Sequence, residues 1–100
     1  MRRPSRQTIE VLQALLAQPG EWAYGYDLSS DLGIPSGSLY PILMRLHERG
    51  VLEARWVDSP TEGRPPRHMY RLTEEGAGWA LTATSEDRRL RGLRAAEGTA

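Results

Sequence analysis

The chain has 100 residues, 39% of them hydrophobic, and its 13 basic residues balance 13 acidic ones, so the formal net charge is zero. This length suits one small domain with a single core and is too short for two ordinary domains. The absence of cysteine excludes disulfide scaffolds, thiolate metal sites and cysteine nucleophiles, and the zero net charge argues against a strongly non-specific nucleic-acid binder.

No apolar run approaches the roughly 20 residues that a membrane helix needs, and the basic N-terminus lacks the apolar segment of a secretory signal. We therefore expect a cytoplasmic protein with no membrane partner. All 13 strongly basic residues are Arg. A high-GC genome explains this bias most simply, although Arg also offers a planar fork that suits phosphate and guanine.

The first predicted helix covers residues 6–17 and ends before Pro19-Gly20. Its apolar face consists of Thr8, Val11, Leu12, Leu15 and Leu16. Arg2 and Arg3 precede it in a basic arm that either frays or contacts DNA, and fraying is the simpler interpretation. Residues 21–23 suit a short extended segment that adds a minor strand to a later hairpin.

A helix-turn-helix is predicted over residues 24–46. One helix covers residues 25–32 and the next covers residues 36–49, with Gly33-Ile34-Pro35 as the turn. Gly33 suits the left-handed conformation that ends a helix, and Pro35 cannot continue the first helix. The second helix carries an apolar stripe at i, i+3, i+4 and i+7, formed by Leu39, Ile42, Leu43 and Leu46. In this motif the second helix lies in a DNA major groove, and Tyr24 and Tyr26 are expected to pack.

Pro41 lies near the start of this predicted recognition helix, and the sequence leaves two arrangements open. If Ser38 is the N-cap, Pro41 falls in the first turn, where its missing N–H costs nothing. If Pro35 or Ser36 is the N-cap, Pro41 strains or bends the beginning of the helix.

Two antiparallel strands follow, because apolar and polar residues alternate with period two. Leu52, Ala54 and Trp56 share one face of the first strand, and Tyr70 and Leu72 share one face of the second. The proline-rich residues 58–67 between them form a long, stiff loop. The order helix, helix, helix, strand, wing, strand, helix defines the fold class. It is a mainly α fold with a small β-hairpin, a winged helix-turn-helix.

The fourth predicted helix begins after Thr73, a good N-cap, and Glu74 and Glu75 suit its first turn. A heptad seam with a polar break at Glu86 then follows along Gly76, Trp79, Ala83, Glu86, Leu90 and Leu93. The sequence therefore divides into a winged-helix DNA-binding domain at residues 1–72, a dimerisation helix at residues 73–94 and a disordered tail at residues 95–100.

The candidate DNA contacts are hydrogen-bonding residues of the recognition helix and basic residues of the wing. On the helix they are Ser36, Ser38, Tyr40 and Arg45. At the wing tip they are Arg64, Arg67 and His68. Between positions 35 and 72 there are six Arg residues and four acidic ones, so a basic surface must come from geometry rather than composition.

An enzyme is not expected, because the two histidines have no cysteine or paired carboxylates to work with. We also expect no cofactor and no metal site. The alternative function is a winged-helix module that binds another protein without specific DNA binding. The zero net charge favours that alternative, whereas Arg64 and Arg67 oppose it.

The chain resembles the PadR family of transcriptional regulators in three segments. They are Tyr24-Gly25-Tyr26-Asp27-Leu28 before the turn, Leu39-Tyr40-Pro41 in the recognition helix and Gly63-Arg64-Pro65-Pro66-Arg67 leading to Tyr70-Arg71-Leu72-Thr73 in the wing. The last two are specific when they occur together at this spacing.

The resemblance implies a homodimeric repressor that binds a palindromic operator in double-stranded DNA. The short members of this family dimerise through one C-terminal helix together with the first helix. Here that implies Leu12 and Leu16 together with Trp79, Ala83, Leu90 and Leu93. Many relatives respond to a small hydrophobic or phenolic effector, for which Trp79 is the candidate contact, although a dimer-core role explains Trp79 more simply.

Overall fold

The computed structural model describes residues 3–98, and side chains as far as residue 96. Its elements are α1 (Arg6–Leu16), β1 (Ala23–Tyr24), α2 (Gly25–Leu32), α3 (Ser36–Glu48), β2 (Leu52–Val57), β3 (Arg67–Leu72) and α4 (Glu74–Gly98). The strands form one antiparallel sheet in the order β1-β3-β2. This architecture confirms the predicted winged helix-turn-helix. No helix in the described part of the chain is long and apolar enough to cross a membrane.

Helix α1 begins at a capped end and lies across the core. The Ser5 hydroxyl accepts a hydrogen bond of 3.1 Å from the Thr8 amide, which satisfies one of the free N–H groups of the first turn. The buried side chains are Ile9, Val11, Leu12 and Leu15. Ile9 is fully buried although the predicted face omitted it, and Thr8 is only partly buried.

The turn between α2 and α3 is closed by Ser29 and Gly33. Gly33 takes the left-handed conformation at φ +67°, which a residue with a side chain rarely adopts. The Ser29 hydroxyl donates to the Ile34 carbonyl at 2.6 Å, and the Ile34 amide donates to the Ser29 carbonyl at 3.1 Å. Because Ile34 is also buried in the core, the turn is fixed by both hydrogen bonds and packing.

The structure resolves the two arrangements left open at Pro41. Pro35 is the N-cap of α3, so Pro41 is the sixth residue of the helix and not part of its first turn. Without an N–H group, Pro41 cannot donate to the Gly37 carbonyl one turn earlier. The amides of Ser38 and Leu39 both donate to the Pro35 carbonyl at 2.9 Å, which secures the first turn.

The sheet pairs two full strands and one short edge strand. Leu52 faces Leu72 and Ala54 faces Tyr70 across β2 and β3, as the predicted alternation requires. Tyr70 and Leu72 are buried, whereas Trp56 on the same face is 68% exposed. The extended segment near Trp22 becomes the two-residue strand β1, which pairs Ala23 with Tyr70.

The first turn of helix α4 is bonded to the segment that directly follows α3. The Thr73 hydroxyl accepts a hydrogen bond of 2.8 Å from the Gly76 amide and donates one of 2.7 Å to the Gly50 carbonyl. Further along, Ala80 and Thr84 are buried against the body of the chain. Thr73 is thus the predicted N-cap, and it also links the turn after α3 to α4.

An ion pair then holds α4 against the start of α1. Asp87 pairs with Arg6 at 3.4 Å and with Arg91 at 3.3 Å, and only 16% of the Asp87 side chain is exposed. The helix continues to Gly98, so the prediction of a disordered tail from residue 95 is wrong for residues 95–98. Nothing in residues 95–98 breaks a helix as Pro would, and Ala95 and Ala96 favour it strongly. Residues 99–100 lie outside the described residues.

Candidate nucleic-acid interface

The recognition helix α3 is held by one face and open on the other. Leu39, Ile42, Leu43 and Leu46 are all buried, as predicted. Since successive helical residues are rotated by about 100°, the positions opposite this stripe are Gly37, Pro41, Met44 and Glu48. All four are exposed, and Met44 is 58% exposed. Among these four residues only the Glu48 side chain can hydrogen-bond strongly, and only as an acceptor, so side-chain donors must come from the two flanks.

The predicted DNA contacts of α3 divide between these flanks. Ser38 and Arg45 are two turns apart on one side, and both are exposed. Ser36 is exposed at the start of the helix. Tyr40 and His47 are two turns apart on the other side, which faces the sheet. Tyr40 is half-buried, so only part of it is available to a ligand.

Tyr40 packs directly on the first residue of α2. A Cβ atom placed on Gly25 would lie 2.8 Å from the Tyr40 hydroxyl oxygen, so only glycine leaves room for this ring. Tyr24 and Tyr26 flank Gly25, and their rings lie 5.8 Å apart. The recognition helix and the beginning of α2 therefore form one continuous surface.

The beginning of α2 meets the wing in an open cleft of about 560 Å³, which we call the wing cleft. Its walls include the rings of Tyr24 and Tyr26 and the side chains of Arg64 and Arg67, with Ser59 and Thr61 beside them. Tyr26 is 64% exposed and does not face inward, so the expectation that both tyrosines pack is wrong for Tyr26. The amides of the first turn of α2 have no side-chain cap. The exposed carboxylate of Asp27, in that turn and in the cleft wall, supplies the negative charge that such amides favour.

The three basic wing residues occupy different environments, and only Arg64 is at the tip. Arg64 is exposed beside Gly63, whose φ of +83° bends the loop. Arg67 is the first residue of β3 and is half-buried, with its guanidinium 5.0 Å from the centre of the Tyr24 ring. The prediction that Arg67 and His68 lie at the wing tip is therefore wrong, because strand pairing extends back to Val57 and Arg67.

His68 lies inside a stack of rings on the core-facing side of the sheet. Its ring is 4.2 Å from Trp56 and 4.5 Å from Tyr70, and the Tyr70 hydroxyl is 2.8 Å from His68 Nδ1. Burial, together with the nearby His47, lowers the pKa of His68 below its ordinary value. Burial, together with Tyr40, raises the pKa of Tyr70. His68 is therefore mainly neutral near pH 7 in the free protein.

A second cleft, of about 480 Å³, lies on the Arg45 flank of α3, and we call it the basic cleft. Arg3, Arg45 and Arg49 line it without any acidic residue. Ile42, Leu46 and Trp79 supply apolar wall, and Ser5 and Thr8 add hydroxyl groups. This combination suits a small anion with an apolar body. Arg2 of the same basic arm lies outside the described residues.

The predicted dimer residues are only partly available at the surface. Leu12 is 0% exposed because it packs in the chain's own core, so its predicted role between subunits is wrong. Leu16, Trp79, Ala83 and Leu90 are half-buried, and Leu93 is 52% exposed. Leu81, outside the predicted seam, is 57% exposed.

No group of three or more His, Asp or Glu that could hold a metal ion occurs among residues 3–98.

Solved structures of transcriptional regulators share this architecture. A PadR-like transcription factor from Bacteroides fragilis is 27% identical, with a TM-score of 0.71, and the match covers 87% of this chain and 84% of that one. The PcaV transcriptional regulator from Streptomyces coelicolor, solved with its natural ligand, is 26% identical with a TM-score of 0.75. That match covers 96% of this chain but only 64% of PcaV.

A PadR-like transcriptional regulator from Bacillus cereus is 20% identical with a TM-score of 0.75, over 94% of this chain and 92% of that one. This likeness concerns the fold alone. No curated protein sequence matches the chain significantly. The model of the transcriptional regulator PadR-like family matches residues 11–80, well over half of the chain. The chain therefore belongs to the PadR-like family of transcriptional regulators.

Proposed function

We propose that this regulator is a homodimeric repressor that binds a palindromic operator in double-stranded DNA. The observation that carries the proposal is the continuous surface formed by the open face of α3, Tyr40 on Gly25, and the wing cleft. This surface extends from the recognition helix to the wing, and winged-helix proteins use these two elements to contact neighbouring parts of a duplex. In a symmetric dimer, two copies of α3 would enter major grooves about 34 Å apart.

Different parts of this surface would make different contacts. Met44 and the small residues beside it would touch base edges through apolar contact, as with a thymine methyl group. Ser38 and Arg45 would donate hydrogen bonds to phosphates or bases along one flank, and Ser36 would do so at the start of the helix. On the wing side, Arg64 would approach the backbone most freely, and exposed Tyr26 would add a hydroxyl group beside it. Arg67 and neutral His68 would contribute less directly.

Dimerisation would use α4 together with Leu16 of α1. A helix of 25 residues is about 37 Å long, and only its first half packs closely on the body of the chain. Half-buried Trp79, Ala83 and Leu90 and exposed Leu93 form the side that a second copy would cover. In this arrangement α4 would be the dimerisation helix, and residues 1–72 would be the DNA-binding domain.

The basic cleft is the candidate site for an effector. Its three arginines favour a carboxylate or phenolate, and its apolar wall, including Trp79, favours an aromatic or hydrophobic body. Arg45 belongs both to this cleft and to the proposed DNA surface, so an anion bound there would compete for a DNA contact. The structurally similar PcaV was solved with a natural ligand, which supports the presence of an effector here.

The test is selection of bound sites from random duplex DNA with the full chain, followed by fluorescence anisotropy on the selected site. We expect a palindromic site and a dimer by sedimentation at micromolar concentration. Replacing both Arg64 and Arg67 with Ala should weaken binding to all sequences and flatten its salt dependence. The control is Arg88→Ala, which removes one positive charge from an exposed position on α4, as each of these substitutions does on the wing side. No enriched sequence, together with a monomer, would favour the protein-binding alternative.

A further inference from the structure

Trp56 is a large apolar side chain that is exposed and yet held in place. It is 68% exposed near the end of β2. Its ring lies flat on the His68 ring, with centres 4.2 Å apart and an angle of 10° between the planes. An exposed indole gives up much of the free energy that burying its apolar surface would provide. A fixed orientation in that setting is typical of a contact made on binding.

The stack under Trp56 begins in the core. Tyr70 is only 2% exposed, and its hydroxyl group hydrogen-bonds His68 Nδ1 at 2.8 Å. His68 in turn supports the inner face of the indole. Each ring therefore limits the movement of the next one, from buried tyrosine to half-buried histidine to exposed tryptophan. Little side-chain freedom would remain to be lost when the indole contacts a ligand.

Trp56 faces the side of the sheet on which the recognition helix packs. Residues alternate along β2, so Trp56 shares the face of buried Leu52 and half-buried Ala54. Helix α3 packs on strand β2, and its half-buried Tyr40 packs against the apolar core that contains Tyr70, which places the same flank of α3 near this stack. The opposite face of the sheet carries Trp22, with the Arg55 and Arg71 guanidiniums 4.2 and 4.5 Å from its ring centre.

We propose that Trp56 is a DNA-contact residue, which packs its free face on a deoxyribose of the strand that passes between the recognition helix and the wing. This inference rests on the proposed DNA binding. A deoxyribose fits because it is the apolar part of the backbone in that gap, and the indole N–H can donate to an adjacent phosphate. His68 and Tyr70 are positioning residues, since they act through the indole.

The contact is uncharged, which separates it experimentally from the arginine contacts. Trp56→Ala should weaken binding of the selected site about tenfold or more, while the slope of log Kd against log salt stays at the wild-type value. Arg64→Ala should reduce that slope by about one phosphate contact. Tyr70→Phe keeps the ring but removes the hydroxyl group, and it should cause a smaller loss. Far-UV circular dichroism checks that each variant folds.

Tryptophan fluorescence supplies a second measurement that does not depend on affinity. DNA should shield one indole of the wild-type chain from acrylamide quenching, and this protection should be absent in Trp56→Phe. Wild-type affinity in Trp56→Ala, or an indole equally accessible with and without DNA, would overturn the inference and leave the proposed function intact. A wild-type chain that selects no DNA would overturn both.

Discussion

Replacing Gly76 with Ala should destabilise the protein, because α4 begins in direct contact with the backbone that follows α3. A Cβ atom at position 76 would lie 2.0 Å from the Val51 carbonyl oxygen, whereas ordinary contact begins at 3.4 Å. Admitting the methyl group would require α4 to move outward by about 1.4 Å, the difference between these distances. The same movement would stretch both hydrogen bonds of the Thr73 hydroxyl group.

The size of the effect follows from two opposing contributions. Overpacking costs about 1–3 kcal/mol, and the upper end applies because backbone atoms cannot rotate out of the way. Replacing a helical glycine with alanine returns about 1 kcal/mol. The net loss should be about 2 kcal/mol, or roughly 8–16 °C in Tm for a domain of this size. Gly78→Ala is the matched control, because its Cβ would meet nothing within 4 Å and the variant should gain up to ~1 kcal/mol.

Urea unfolding followed by far-UV circular dichroism measures both variants. The protein concentration must be the same throughout, because dimerisation would make the apparent stability depend on it. The two alanine variants should differ by about 3 kcal/mol, with wild type between them. A Gly76→Ala protein as stable as wild type would refute the inference that α4 is seated on the Val51 carbonyl.

Three further predictions concern His68, Gly25 and Asp87. The pKa of His68 is lowered below 6.5 in the folded state, so its contribution to stability is complete above pH 6.5 and is lost as the pH falls through the folded pKa. The stability difference between wild type and His68→Gln should therefore shrink from about pH 7.5 to 5, and a constant difference would contradict this. Gly25→Ala should displace the Tyr40 ring and weaken DNA binding in an anisotropy titration, whereas Gly92→Ala, with open space around it, should not. Asp87→Asn should cost about 1 kcal/mol in urea unfolding, because two arginines share a shielded carboxylate. Glu86→Gln, in an exposed pair, should change stability very little.

Local patterns predicted the fold well because its elements are specified by nearby residues. The leucine stripe of α3 and the alternation in β2 and β3 each follow from a helical or strand period, and both are confirmed. The Thr73 cap is equally local, since its partner is the amide of Gly76. These features need no knowledge of what packs on the other side.

The parts that the sequence did not predict depend on contacts between distant segments. Tyr26 is exposed because α2 turns that side toward the wing and away from the core, and no periodicity in eight residues can indicate this. Leu12 lies at the centre of the broad buried face of α1, which includes Ile9, so it is lost to a second subunit. Arg67 lies in strand β3 and not at the wing tip, because its pairing with Val57 extends the hairpin. In the sequence, the segment Tyr24-Gly25-Tyr26 was the feature that could have indicated the wing cleft, because both tyrosines line it.

The Thr73 hydroxyl group also has a mechanical consequence. It joins Gly50, two residues after the end of the recognition helix, to the first turn of α4 by two short hydrogen bonds. If α4 joins two subunits, each recognition helix is carried at the end of a stiff lever. A small rotation between the two levers would then change the separation of the recognition helices over the full arm length. Under the proposed function, a change of angle alone would then alter DNA binding, with every subunit keeping its internal structure.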